Sequence, residues 1–181
     1  MKDKGEKNLE GLVKWFVSIG NRYYAAFIAE DRYRTYFKGL WVTIEISFMA
    51  IIIGILIGIT VAILKVTANN YKKLKWLGVL ANVYINIIRG TPVMLQLLII
   101  YNLIFTSRST NAILVAGLCF GINSGAYVAE IVRAGIESID RGQTEAGRSL
   151  GLNANQTMTY IIMPQAIKNI LPALGNEFIA I

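Results

Sequence analysis

Three acids stand in apolar surroundings: Glu45, Glu130 and Glu177. A charge at a bilayer centre costs about 2.5–3.5 kcal/mol on insertion scales, so such groups normally face protein or water. Arg133 is three residues beyond Glu130, so a helix would let it neutralise that acid in a structural pair. Glu45 lies one turn into an apolar run and could snorkel to an interface. Asn123, Ser124 and Tyr127 share a helical face. They could bond a polar solute or a neighbouring helix, the latter worth about 0.6–2 kcal/mol per bond in membrane systems. Thr91 and Gln96 flank Pro92 and are further candidates for lining a polar route. Reactive chemistry is poorly provided for. The sequence has no His and one Cys, Cys119, inside an apolar run. It has no His/Cys metal spacing, no nucleophile–base pair and no phosphate-cradling Gly-x-x-x-x-Gly-Lys-Ser/Thr. This points away from an enzyme, with catalytic and metal sites both absent. A proton relay through Glu130 or Glu177 is the alternative use of these acids.

The elements that must position these groups are hydrophobic helices. The 181 residues are 55% hydrophobic and only 16% charged, against about 25% in soluble domains. The net charge of +7 comes from Lys and Arg that flank apolar runs, a pattern suited to anionic headgroups rather than nucleic acid. No signal peptide precedes the first run. Residues 1–10 read as loose and polar. Residues 12–27 carry an amphipathic helical spacing, too polar to span, with Trp15, Tyr23 and Tyr24 at headgroup depth. A first span is expected over 39–64, with Gly54 and Gly58, extended by Ala50 and Ala62, forming a small stripe for close helix approach. Residues 65–76 form a basic loop with Lys65, Lys72, Lys73 and Lys75. A second apolar run covers 77–105, interrupted at Arg89, Gly90, Thr91 and Pro92. Either the span is broken there, or an edge helix ends at Arg89 and the span starts at Pro92. A polar turn at 106–111 precedes a third span over 112–132. Residues 165–181 begin a fourth, broken by Pro172, and the sequence stops at Ile181 inside an apolar run, which reads as truncation.

Between the third and fourth spans lies a polar, glycine-punctuated insert, residues 140–164. Asp140 with Gln143 has capping-box spacing, and Asn153 with Gln156 repeats it. Gly151 is placed to end the first short helix in a left-handed conformation, and Pro164 to kink or end the second. A helix of about ten residues is marginal alone and must dock to persist. Ala146, Gly147 and Leu150 give it a smooth face, flanked by Arg141, Glu145 and Arg148. Glu145 could equally be a plain i,i+4 partner of Arg141.

Glu145, Ala146 and Gly147, then Gly151, then Ile161, Met163 and Pro164 resemble the cytoplasmic EAA loop of ABC-transporter permeases. The chain departs from that pattern at Gly147 (for Ala) and Met163 (for Leu). Three further stretches, GLWVTIEIS at 39–47, IRGTPVMLQ at 88–96 and NSGAYVAE at 123–130, are similar to the permeases of polar amino-acid importers of the glutamine, histidine and arginine type. The segment from Pro164 to Phe178 continues the resemblance, which covers about residues 39–181.

The resemblance implies an all-α, polytopic membrane protein of the MetI-like type I importer fold. Three complete spans and the start of a fourth would be present, with five in the full chain. Residues 1–38 would be an N-terminal segment and interfacial helix, and 39–181 an incomplete permease domain. The implied function is a transport subunit for a polar amino acid, in the cell membrane, with a proton-coupled secondary transporter as the alternative. Implied partners are ABC ATPase subunits, a second permease chain in a homo- or heterodimer, an external solute-binding protein and membrane lipid, with no nucleic acid. No cofactor is expected in this chain; ATP and Mg would bind the partner ATPase. Glu145, Ala146, Gly147, Arg148, Gly151 and Pro164 would couple to that ATPase. Asn176, Glu177, Asn123, Ser124, Tyr127, Glu130, Thr91 and Gln96 are the pathway candidates, with Glu177 and Asn176 placed for the substrate ammonium. Charge counts alone lean to an external N-terminus. The EAA-like loop agrees, since it must be cytoplasmic to meet an ATPase.

Overall fold

In the computed structural model every regular element among the described residues is helical. The structure describes residues 2–70, 72–105 and 110–180, with side chains described from residue 11 onward except at 69, 70 and 72. The expected turn at 106–111 therefore falls largely outside the described residues. By chain contacts the molecule divides into two units, residues 1–44 and 45–181.

In the first unit α1 (Lys2–Tyr23) continues into a π turn, Tyr24–Ile28. Helix thus begins at Lys2, where the polar composition reads as loose chain. Most of residues 2–10 are helix-tolerant Lys, Glu and Leu, and no Pro interrupts them. Glu30 and Asp31 both have φ of 56°, and this left-handed pair breaks the helix before α2.

Helix α2 (Arg32–Asn70) has 39 residues, a rise of about 58 Å at 1.5 Å per residue. This far exceeds the roughly 30 Å of a hydrocarbon core. The helix outruns the expected span of 39–64 because neither Gly nor Pro stops it before Arg32 or after Leu64. Lys65 is accordingly helical, and the basic loop shrinks to a 3₁₀ turn, Lys72–Leu74, before α3 (Lys75–Gly90).

Thr91 and Pro92 are extended, and α4 (Val93–Ile99) with its π turn, Ile100–Ile104, leaves at 103° to α3. Asn111 caps α5 (Ala112–Glu137) by accepting from Ile113 N at 2.9 Å. Then follow α6 (Arg141–Ser149), α7 (Ala154–Thr157), a π turn (Met158–Ile162) and α8 (Met163–Ala180).

Among the described residues two helical stretches are long and apolar enough to cross a membrane, one within Gly11–Ala68 and the other α5; the bent α3–α4 pair makes a third if it counts as one span. Helix α8, with Lys168, Asn169, Asn176 and Glu177, does not meet that standard.

The core of the second unit is built around α5, which packs against α2, α3, α4 and α8, and its contact with α2 is made at small residues on both sides. Ala50, Gly54, Gly58 and Ala62 are all buried, as the spacing predicts. A methyl on Gly54 would come within 2.9 Å of Ser124 Oγ, and one on Gly121 within 2.6 Å of Ile53 Cβ. One on Gly58 would overlap Val128 and reach 3.0 Å from Gly125 O. The backbones approach this closely only because no Cβ intervenes, which maximises dispersion contact where lipid offers no hydrophobic drive. Beside this contact, α2, α5, α8 and the π turn enclose a cleft of about 700 Å³ whose walls are aliphatic, Met and Phe side chains, with Thr67 the one polar side chain.

Candidate functional site

The break after α3 is held by one side chain. Gln96 is 9% exposed. Its Nε2 donates to Ile88 O at 2.7 Å, to Thr91 O at 3.1 Å and to Thr91 Oγ1 at 2.7 Å. Thr91 Oγ1 in turn donates to Ile87 O at 2.8 Å. Pro92 O accepts from Leu95 N and Gln96 N. The Ile88 carbonyl, which Pro92 leaves without an N–H partner, is thereby satisfied internally, as irregular backbone at membrane depth requires. Asn123 Nδ2 donates to Gln96 Oε1 at 3.2 Å, tying the brace to α5. Tyr84 OH, donating to Ile122 O at 2.6 Å, ties α3 to the same helix.

The three polar residues expected on one face of α5 divide between neighbours. Asn123 meets α4, and Tyr127 lies under Arg89 of α3, whose guanidinium carbon is 5.0 Å from the ring centroid. Ser124 faces Gly54 of α2. Its hydroxyl is buried without a hydrogen-bond partner at bonding geometry, while the Glu177 carboxylate of α8 lies close by. Thr91, Gln96 and Asn123 are thus joined at the break, while Tyr127 meets α3 and Ser124 faces α2 with Glu177 nearby. Glu177 is half-buried and Asn176 exposed.

Glu130 is engaged otherwise. Arg133 bonds it with both Nε, at 3.0 Å, and Nη2, and reaches Glu137 with Nη1. Lys65 of α2 adds Nζ at 3.7 Å from the Glu130 carboxylate. This is the expected pair with Arg133, enlarged to bridge two helices. Glu45 is exposed on α2.

Just beyond this end of α5 the insert forms its two helices. Asp140 caps α6, accepting from Gly142 N at 2.7 Å. The expected capping box is not made: Asp140 caps through Gly142 rather than Gln143, and the Gln143 amide oxygen accepts instead from Gln165 Nε2 of α8 at 3.3 Å. Asn153 and Gln156 make the full reciprocal box, both bonds 2.9 Å. Gly151 has φ of +85°. Leu152 N bonds Gly147 O at 3.2 Å and Gly151 N bonds Arg148 O at 3.0 Å, the paired bonds of a Schellman C-cap.

Pro164 does not end the helix. It falls in the first turn of α8, preceded by the widened π turn, and Gln165 Nε2 covers the Ile161 carbonyl at 2.8 Å. A missing N–H is thus absorbed by local widening rather than by termination. Gly147 is buried, its hydrogen facing Thr157 and Ile161 at distances a methyl would reduce to 2.8 Å. It seats α6 on its own chain instead of facing outward. Glu145, Ala146, Arg148 and Leu150 remain exposed, Leu150 at 80%. Glu145 joins no ion pair among the described residues. An apolar tip and an acid outside any ion pair among the described residues thus stand outward on a capped, seated helix.

Residues 50–181 match the family described as "binding-protein-dependent transport system inner membrane component". The chain belongs to this family. It is 42% identical over 144 residues to the putative glutamine transport system permease protein GlnP of Rickettsia prowazekii, covering 78% of this chain and 64% of that protein. It is 37% identical over 146 residues to the arginine transport system permease protein ArtQ of Bacillus subtilis, covering 80% and 64%. A solved structure described as "Crystal structure of an amino acid ABC transporter with histidines" aligns with TM-score 0.76 and 46% identity, over 85% of this chain and 71% of that one. The all-α fold of an ABC importer permease is thereby shared, in a chain spanning 64% of the length of these two curated relatives.

Two residues of the site escape the sequence reading. Arg89 marks the break but carries no assigned role there, and Tyr84 is not singled out. The available signal is that Arg89 is the one charge between Trp76 and Phe105.

Proposed function

We propose that the chain is a transmembrane subunit of an ATP-driven importer of polar amino acids. It forms half of the pathway with a second permease chain and couples to ATPase subunits through α6. The carrying observation is the construction of α6: capped at Asp140, closed at Gly151, seated through Gly147, with Glu145, Ala146 and Leu150 left outward. Family membership and the relatives' names support the substrate class. On this reading an external solute-binding protein delivers the amino acid, residues 140–164 are cytoplasmic and the N-terminus is external. The first part of α8 enters the membrane as a fourth span. Glu177 with Asn176 receives the substrate ammonium, and Glu130 is a structural tie. ATP-Mg belongs to the partner. Its binding biases the pathway only through contacts that differ between inward- and outward-facing states, and α6 is where such contacts are offered.

The test is reconstitution with the cognate ATPase and binding protein in liposomes, following labelled L-glutamine, L-arginine and L-histidine. Uptake that requires ATP and ignores a protonophore is expected. Uptake driven by a proton gradient without ATP would overturn the proposal. Topology is tested at Ser149→Cys, since Cys119 is buried: an impermeant maleimide should label it in inside-out vesicles alone.

A further inference from the structure

The family match begins at residue 50, so α1 lies wholly outside it. At about 100° per residue, Lys14, Ser18, Asn21 and Arg22 fall within an arc of about 100° on α1, and every apolar side chain from Leu12 to Tyr23 lies outside that arc. Most of these apolar side chains are exposed, Trp15 at 58% and Phe16 at 65%. So broad an apolar face turned outward marks a surface of interaction. Nine of the chain's 19 aromatic residues stand between Trp15 and Trp41. Trp and Tyr gather where one end of the ring meets hydrocarbon and the other meets water.

The bend before α2 sets the depth of this face. Glu30 and Asp31, both left-handed and neither of them glycine, turn the chain. Their carboxylates lie 3.7 Å from Arg32 and 3.8 Å from Arg34 respectively. The chain folds back far enough to bring the Phe27 ring centroid to 5.2 Å from that of Tyr36, and Tyr23 stacks on Phe27 at 6.1 Å. Tyr36 stands three residues before Gly39, where the apolar run of α2 begins. Phe27 is therefore level with a point about 5 Å from the edge of that run, at 1.5 Å of rise per residue. Charge narrows the choice of occupant. Residues 1–31 hold five cations and five acids, so no net charge draws the segment to anionic headgroups or to a charged protein face. An apolar arc rich in aromatic rings, with Lys14 and Arg22 able to snorkel from its margins, fits the boundary between headgroups and acyl chains.

We propose that α1 is a membrane-surface anchor. Residues 11–28 lie along the headgroup–acyl boundary of the leaflet at which α2 begins, with the apolar arc toward the acyl chains and Phe27 against Tyr36 closing the elbow. The partner is lipid, held by burial of hydrocarbon rather than by charge. This needs α2 to cross the membrane and nothing more of the permease reading. It also gives α2 a fixed depth: its 39 residues could otherwise slide in a bilayer that needs only about 20.

The experiment uses the full chain in phosphatidylcholine nanodiscs. Single cysteines replace Lys14, Ser18 or Arg22 on the polar arc and Leu12, Phe16 or Ile19 on the apolar one; Cys119 is buried. Burying a large apolar side chain favours the seated helix by about 10–100-fold. A water-soluble maleimide should thus label the apolar set at least about tenfold more slowly than the polar set. Rapid labelling of both sets overturns the proposal, because α1 then stands in water. Equal protection of both overturns it too, because α1 then spans or is enclosed. A variant with Trp41→Phe and Trp76→Phe keeps Trp15 as its one Trp and identifies the cover. Lipid brominated near the top of the acyl chain should quench Trp15 more than lipid brominated near its end, with or without added phosphatidylglycerol. Phe16→Glu should lessen that quenching and Ser18→Glu should leave it unchanged. A protected face with Trp15 unquenched means that protein covers it, and overturns the proposal, as does quenching that requires the anionic lipid. Should the Trp variant fail to reconstitute, the labelling pattern decides alone. ATP-driven uptake is measured separately, so loss of the anchor leaves the permease reading standing.

Discussion

Gly58→Ala tests the close contact of α2 with α5. The added methyl would overlap Val128 and stand 3.0 Å from Gly125 O. Val128 is 0% exposed and β-branched, so it cannot swing clear, and the other neighbour is backbone. The helices must separate, and overpacking of this kind costs about 1–3 kcal/mol. Gly175→Ala is the matched control, since a methyl there meets nothing within 4 Å. Both sites are helical, so the helix-propensity gain of about 1 kcal/mol cancels in the comparison. Gly58→Ala should therefore lie about 1–3 kcal/mol below Gly175→Ala in unfolding titrations in mixed micelles. Adding Val128→Ala to Gly58→Ala should recover space and give a favourable coupling of at least about 0.5 kcal/mol. If the two single variants agree within about 0.5 kcal/mol, the methyl is accommodated and the packing argument fails.

Glu145→Lys should leave permease stability within about 0.5 kcal/mol, as an exposed unpaired position, while abolishing co-purification with the ATPase; retained co-purification and uptake would remove Glu145 from the docking surface. Gly151→Ala should cost about 1–3 kcal/mol of local strain at φ +85°, read as faster proteolysis at 150–153 and weaker ATPase stimulation. Gln96→Leu should destabilise by about 1–3 kcal/mol by stranding the carbonyls it covers, and Asn123→Leu by less, since it removes a single 3.2 Å bond; micelle titrations would rank the two.

What could be read from sequence was whatever rests on local chemistry. Gly151, the Asn153–Gln156 box and the bend at Pro92 each follow from backbone rules acting within a few residues. The buried stripe Ala50, Gly54, Gly58 and Ala62 also emerged, because side-chain size alone sets how near a helix can come. Tertiary competition defeated other readings. Gln143 has the right spacing for a box with Asp140, yet bonds Gln165, which is 22 positions away in sequence. Asn123, Ser124 and Tyr127 share a face but meet three different helices. Gly147 looked like part of an outward face because helical spacing cannot say which side the rest of the chain covers. Arg89 went unassigned since the ring it meets, Tyr127, comes from α5.

The oily cleft between α2, α5 and α8 has a bearing on leakage. Water enters a chamber only where polar partners await it, and here Thr67 stands alone among hydrocarbon and thioether walls. Hydrated ions gain no foothold on that flank of α5. On the pathway proposed above anything wet passes beside Asn123 and Tyr127 instead, so one helix would serve as both insulator and conduit wall.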